Sequence, residues 1–481
     1  PDMAARDGPA GLPVEEGEVE ELFRQYNAAD QDDRLAIRLQ IFAKHPFVRA
    51  GEPTTAEFGP HHFLIQGYSL HINAFRKWLK TPEGAPIAKL AGGVSDDGLY
   101  TVSPMLRALM PRGFHHITVR RGGEEGEKIL ELAFTGILKF TGLTAADEDE
   151  ESNSSEHSFL YGGRTMADAT SFFSTTKSNG ENAKFQLISV EGTRYLLAGS
   201  KMTCFIWPAA EPAETHHPRT GFPGADICTM VSEWYLSLEE ELREQLAEQL
   251  SAMSSVMGEI NRRDSEHIVP IEANFIEFYA ILDSVSGQPL PPAITRRLLD
   301  TYRLPRVRMD EFPIGDLDKT IADIRRDKTT EGAVLYLLMG EEVIGLVKVK
   351  SDHYVVVRRI REIFRSGLCN KISCGATVGY PNPKKTTSQT ETIEGLLEAI
   401  DDRYKRRMRA LTHVPDCETR WERWYRHGVG FARWWVANRL PRPDATGLAA
   451  RLENALREVD ERFASTFQAY LDEQGDDGFV V

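Results

Sequence analysis

The spacing of hydrophobic residues changes several times along this chain, and each change predicts an element. Between Glu18 and Ala43, Val19, Leu22, Phe23, Leu35, Ile37 and Ile41 fall at helical intervals, which predicts two helical segments around a polar break. From residue 55 to 140 the pattern is mixed, with strands expected at Phe63–Tyr68, Gly113–Val119 and Leu130–Phe134. A further strand leads into Lys177 and stops at the polar turn Asn179-Gly180. The runs Lys184–Val190 and Tyr195–Ala198 then form a hairpin around Glu191-Gly192. Leu242, Leu246, Leu250 and Met253 predict an amphipathic helix over Glu239–Met257. A short strand at Val256–Asn261 and an aromatic one at Phe275–Ile281 come next. Glu331–Leu338 and Val343–Lys350 read as a second hairpin, turned at Met339-Gly340-Glu341. Beyond about Ile360 the periodicity is helical, at Leu396–Met408, Trp421–Trp435 and Gly447–Leu471. The expected fold class is therefore α+β, antiparallel sheets with helices, followed by an all-α C-terminal domain.

A chain of 481 residues has room for two to four domains. With 41% hydrophobic and 27% charged residues, it has the make-up of a globular protein. No apolar run approaches the ~20 residues of a membrane span, and the start lacks the apolar core of a secretion signal. Five cysteines without a Cys-x-x-Cys pair suit a reducing compartment and argue against structural zinc. The expectation is an intracellular protein, of cytoplasm or nucleus, without a membrane partner. Residues 1–17 and the acidic stretch 143–157 are expected to be disordered or solvated. The net charge of −15 hides a split: residues 358–440 hold 17 Lys/Arg against 9 Asp/Glu, a local +8. A basic segment in an acidic chain suits a polyanion, and salt-bridged helices explain it equally well.

The candidate chemistry lies on turns and strand ends. Lys177, two residues before Asn179-Gly180, can point its amine into a pocket, although many such turns are merely solvated. Lys348 and Lys350 are two apart on a strand and so share a face. Their repulsion is relieved if an anion sits between them, and Glu331 on the partner strand can approach the same place and carry a divalent metal. Arg112 beside Gly113 at the mouth of a strand can grip phosphate oxygens. Lys201, on the turn Gly199-Ser200-Lys201, can do the same. Glu259 on its short strand offers an acceptor, with Phe278-Tyr279 behind it as a stacking surface. Arg403, Lys405, Arg406, Arg407 and Arg409 form a basic cluster, and the later segment interleaves arginines with Trp424, Trp434 and Trp435. Tryptophans at that spacing more often build core. The His doublets carry no helical or cysteine partner, so a metal role is rejected. No P-loop is present.

In order, Lys177-Ser-Asn-Gly180, Gly258-Glu259-Ile260, Glu331-Gly-Ala-Val334 and Lys348-Val-Lys350 resemble the motifs of the ATP-dependent RNA ligase family, in its bacteriophage-type branch, over roughly residues 100–365. The resemblance implies a nucleotidyltransferase domain with ATP-grasp-like sheets over residues 18–356 and a helical domain over 357–481, the candidate for RNA binding. It implies that Lys177 takes AMP from ATP and passes it to an RNA 5′-phosphate, after which a 3′-hydroxyl displaces it. Glu331 would hold Mg²⁺ (or Mn²⁺), and Glu259 the ribose. Asn179 and Gly180 would shape the loop and meet the nucleotide, Phe278 would contribute to the nucleotide site, and Arg112, Lys201, Lys348 and Lys350 would meet phosphate. Lys348 and Lys350 would also lower the Lys177 pKa from ~10.4. The expected setting is RNA repair or tRNA splicing by a monomer, with a separate enzyme healing the ends. A GTP-dependent mRNA capping enzyme and a catalytically degenerate RNA-binding protein are the rival readings.

Overall fold

The computed structural model describes residues 12–91, 93–144, 147, 160–161, 164–218, 223–250, 254–369, 393–409, 417–439 and 448–475. It is α+β: three largely antiparallel sheets flanked by helices, then a helical C-terminal region. The first sheet is built on His61–Leu70, Phe114–Arg121 and Glu127–Phe134 and is backed by the helices Glu18–Ala28 and Gln31–Lys44. In the second, Phe205–Pro208, Thr193–Gly199, Glu181–Val190, Ser254–Asn261 and Phe275–Asp283 lie side by side. In the third the order is Met309–Pro313, Ser171–Lys177, Gly332–Met339, Glu342–Lys350 and the two-residue strand Thr141–Gly142, the last pairing in parallel.

The predicted strands are present, mostly longer than expected because pairing extends them past their apolar centres. Two helices differ from expectation. The predicted Glu239–Met257 helix stops at Gln249, and Val256 and Met257 belong to the strand Ser254–Asn261. Their side chains, on opposite faces of that strand, are both fully buried, and that burial overrides the helical period of the leucines. Pro223–Ser237, starting inside a Pro/Gly-rich stretch, is a buried helix; Pro at its first position suits a helix start. Residues 12–17, expected within a disordered N-terminus, are folded. Leu12 is buried, and the buried Glu15 accepts bonds from the Leu12 N–H and the Ser103 hydroxyl. Most of the acidic stretch 143–157 lies outside the described residues. Its Asp147, however, is fully buried, paired with Arg325 and accepting the Lys350 N–H at 2.7 Å.

The core of the second and third sheets and the core of the helical region are separate clusters. The helical core is filled by Trp424, Trp435, Phe431, Phe463 and Phe467, so these aromatics are packing residues. The helix Asp352–Cys369 leaves the third sheet directly after Lys350-Ser351 and carries the chain into that core.

The register of the third sheet sets up the site. Gly332 pairs with Lys177 on one side and Lys350 on the other, placing the two lysines across a glycine on one face. Gly332 has φ +140°, and a Cβ there would fall 2.1 Å from the Val349 carbonyl oxygen. Gly332→Ala is therefore expected to destabilise the protein by about 2 kcal/mol or more. Urea unfolding checks this, and a loss below ~0.5 kcal/mol would contradict it.

Candidate active site

Lys177 is the last residue of its strand, and Ser178-Asn179-Gly180 carry the chain from the third sheet into the second. Each turn residue is held. Asn261 Nδ2 donates to Ser178 Oγ at 2.9 Å. With its amide oxygen facing them, Asn179 accepts from the Ile268 and Val269 N–H groups at 3.1 and 3.0 Å. The Gly180 N–H donates to Glu259 Oε2 at 3.0 Å, and a Cβ on Gly180 would fall 2.3 Å from the Ile260 carbonyl oxygen. The turn is thus fixed rather than solvated.

The amine it presents is enclosed by carboxylates. Lys177 Nζ lies 2.9 Å from Glu331 Oε2 and 3.7 Å from Glu259 Oε1. Burial alone would lower the Lys177 pKa, but Glu259 and Glu331 together outweigh it and hold the pKa above the ordinary lysine value. This corrects the expectation that Lys348 and Lys350 lower it: in the unliganded site the carboxylates dominate, and the amine is an ammonium. Glu259 bears the reciprocal strain. Burial pushes its carboxyl up to about 7; Glu331 and Glu277 add to the rise, while Lys177 and the Gly180 N–H oppose it.

A narrow cavity of about 50 Å³ opens beside Lys177, walled by Ile137, Phe140, Tyr279, Tyr336 and Leu346. Phe278, predicted for the site, is instead buried in the core against Phe185. Strand alternation puts its neighbour Tyr279 at the cavity instead. Asn179, predicted to meet the nucleotide, holds the 268–269 backbone. Glu331, Lys348 and Lys350 are buried, with Lys350 Nζ 5.5 Å from the Tyr354 ring centre.

A second charged group borders the first. Lys139, buried, pairs with Asp97 at 2.6 Å. Burial raises the Asp97 pKa, but Lys139, Arg112 and Lys348 draw it below the usual carboxylate value. Burial, then Lys348 and Arg112, lower the pKa of Lys139 itself, against the pull of Asp97. Arg112 and Lys348 thus share a field with Lys139. Lys201 pairs with the adjacent Asp96 at 3.3 Å and lines a separate cavity with His115 and Cys204. A Cβ on Gly113 would fall 2.5 Å from the Lys201 carbonyl oxygen, so the backbones that carry Arg112 and Lys201 run side by side. Lys184 is fully buried, its pKa lowered by burial to about 7, and its Nζ donates to the Gly113 carbonyl at 2.6 Å, fixing the loop that bears Arg112. Sequence reasoning missed Lys139 and Lys184. The available signal was a lysine inside an apolar run, Ile137-Leu138-Lys139-Phe140 and Ala183-Lys184-Phe185.

Among the described residues no group of three or more His, Cys, Asp or Glu side chains could hold a metal. Glu331, with Glu259 nearby, still fits a Mg²⁺ ion whose remaining ligands are water and phosphate oxygens, the usual mode for that ion. No helix among the described residues is long and apolar enough to cross a membrane.

No family model matches the chain, and no curated protein does. Among solved structures it is similar to an archaeal ATP-dependent RNA ligase, at 15% identity and a TM-score of 0.39, with 75% of this chain and 90% of that one covered. A putative ATP-dependent DNA ligase from Aquifex aeolicus shares 11% identity at a TM-score of 0.35, covering 76% of this chain and 94% of that one. A Naegleria gruberi RNA ligase shares 14% at a TM-score of 0.26, covering 39% and 51%. At such distances, what the site does has to follow from its own residues.

Glu259 gives the site a pH signature. Between about 4.5 and about 7 the folded protein retains a Glu259 proton that the unfolded chain has released. Stability therefore falls as pH rises through that window, and the full cost is present above it. Urea unfolding at pH 5 and 7.5 should show wild type losing about 1 kcal/mol or more relative to Glu259→Gln across the interval. Parallel pH dependences would contradict the assignment.

Proposed function

We propose that the chain is an ATP-dependent RNA ligase of the covalent nucleotidyltransferase type, with Lys177 as nucleophile. The observation that carries this reading is the Lys177 amine at the sheet seam, 2.9 Å from Glu331 and 3.7 Å from Glu259, beside a cavity with aromatic walls. The motif order, which resembles that of RNA ligases, supplies the RNA substrate class.

The chemistry follows from the charges. Lys177 must first release a proton, which requires the pairing with Glu331 and Glu259 that holds it as an ammonium to be relieved; Glu259 Oε1, 3.7 Å away, would then be within reach to accept it. The neutral amine then attacks the α-phosphorus of ATP, forming a P–N bond as the P–O bond to the β-phosphate breaks and pyrophosphate leaves with that electron pair. Arg112, Lys139, Lys348 and Lys350 are placed to stabilise charge on the phosphate oxygens. A divalent cation on Glu331 would supply further charge neutralisation. AMP next passes from Lys177 to an RNA 5′-phosphate oxygen. A 3′-hydroxyl then attacks that phosphate, forming the phosphodiester and expelling AMP.

Incubation with α-labelled ATP or GTP and Mg²⁺, followed by a denaturing gel, tests this. Label from ATP that is absent in Lys177→Ala is the expected result. Label from GTP would move the protein to the capping chemistry, and no label from either would overturn the reading. The basic helix Ile393–Arg409 exposes Lys405, Arg406, Arg407 and Arg409. Reversing two of these charges, Arg406→Glu with Arg407→Glu, should weaken RNA sealing by about tenfold at moderate salt while leaving adenylylation of Lys177 intact. Equal loss of both steps would remove these helices from RNA binding.

A further inference from the structure

The segment 261–271, between the strands Ser254–Asn261 and Phe275–Asp283, makes bonds in two directions. Toward the Lys177 turn, Asn261 holds Ser178 and the Ile268 and Val269 N–H groups hold Asn179. The Ser265 hydroxyl donates to Glu181 Oε1 at 2.6 Å. Toward the C-terminal helices, the Ile268 side chain is buried in the same core as Tyr354, Phe364 and Phe463. Beside it, Glu266 is 2% exposed, and its N–H donates to the Glu461 carbonyl at 2.8 Å. Its carboxylate accepts from the Ser465 N–H at 2.9 Å and the Ser465 hydroxyl at 2.7 Å.

Glu461 and Ser465 are four residues apart in the helix Leu448–Gln474, so a continuous helix would join that carbonyl to that N–H directly. The helix breaks between them, at Arg462, with φ −138° and ψ 28°. Glu266 serves both ends of the break, its amide on one side and its carboxylate on the other. Insertion of a foreign group into the i to i−4 ladder is a known cause of such a kink. Neither part is stable without the other: a buried carboxylate stripped of its donors, or a helical break stripped of its cap, is costly.

We propose that residues 261–271 are a strap through which the C-terminal helices hold the Lys177 turn in its reactive geometry, with Glu266 as the positioning residue. The strap grips Ser178, Asn179 and Glu181, the three residues flanking Gly180. Nucleotidyl transfer tolerates little misplacement of the attacking nitrogen. The consequence for rate rests on the lysyl-nucleotide reading above; the strap itself does not.

The test is a double-variant cycle of Glu266→Ala and Asn179→Ala, read as the single-turnover rate of Lys177 labelling in the full-length chain. Glu266→Ala is expected to slow labelling 10- to 100-fold with the ATP KM changed less than about threefold. Together the two variants should be no slower than the slower single one, because both cut the same path. Multiplying effects, or a raised KM at an unchanged rate, would overturn the strap. Amide hydrogen exchange is read in parallel. Glu266→Ala should speed exchange at residues 179–182 and leave 332–339 unchanged; unaltered exchange at 179–182 overturns the proposal even if wild type takes no label. If Glu266→Ala does not fold, Ser465→Ala, which removes only the hydroxyl donor, must show the same pattern at smaller amplitude, and its absence is equally decisive.

Discussion

A lysine ammonium and two glutamates, crowded together where one sheet passes into another, are the constraint to which the rest of this structure answers. Ionisable groups crowded at such a place cost several kcal/mol of lost hydration unless their geometry is tightly held. Glu331 reaches Lys177 because Gly332 lets the neighbouring strand lie close. Glu259 reaches it because the second sheet pairs Glu259 with Asn182, just past the turn. The turn between the sheets is then bonded at every residue. The seam also sets the charge of Lys177. A lysine on an open turn would be a hydrated cation like any other, whereas this one has its charge set by two identifiable partners and can change when either is neutralised.

The ends of the site come from distant parts of the chain. Lys350 leads through Ser351 into the helix Asp352–Cys369, whose Tyr354 is part of the helical core and also lies near both Lys350 and Lys177. With Ile268 buried in that same core, the helical region meets the seam at two places. A helical segment that only tethered RNA would need neither contact. The divide between a sheet-bearing part and a helical C-terminal part, plain in the hydrophobic period, is therefore not a divide in the forces that hold the Lys177 seam.

How much of this could be read from the sequence depended on whether a residue's role was local. Lys177, Gly180, Glu259, Glu331, Lys348 and Lys350 were legible because a strand end, a glycine turn or a two-residue spacing fixes where such side chains fall. The hairpins were legible for the same reason. Which of Phe278 and Tyr279 lines the cavity is not legible, because an aromatic pair on a strand does not say which member faces the core. Asn179 was identified, but its partners lie some ninety residues away and no local pattern announces them. Asp147 looked like one more solvated acid in an acidic run, yet it is buried by a long-range pairing with Arg325 and the Lys350 amide. The direction of the Lys177 pKa was misjudged for a similar reason. The neighbouring cations are visible in sequence order, whereas the distances that let two carboxylates prevail are not.

The same balance of charge bears on how an anion enters. Lys139 and Lys201, at the border of the site, are already paired, with Asp97 at 2.6 Å and Asp96 at 3.3 Å. Both acids lie at the start of the helix Asp96–Val102, whose N-cap is Ser95. A triphosphate that uses these lysines has to replace carboxylates rather than occupy open cationic space. The gain from each phosphate contact is then the difference between two ion pairs, smaller than the contact itself. Asp97, with its pKa drawn down by Lys139, Arg112 and Lys348, remains ionised throughout the physiological range and so does not yield by protonation. It yields only by moving, and Asp96 and Asp97 sit on one short helix. Because Asp96 and Asp97 are adjacent, the ion pairs of Lys201 and Lys139 are anchored on the same short helix, whose N-terminus Ser95 fixes by accepting the Gly98 N–H.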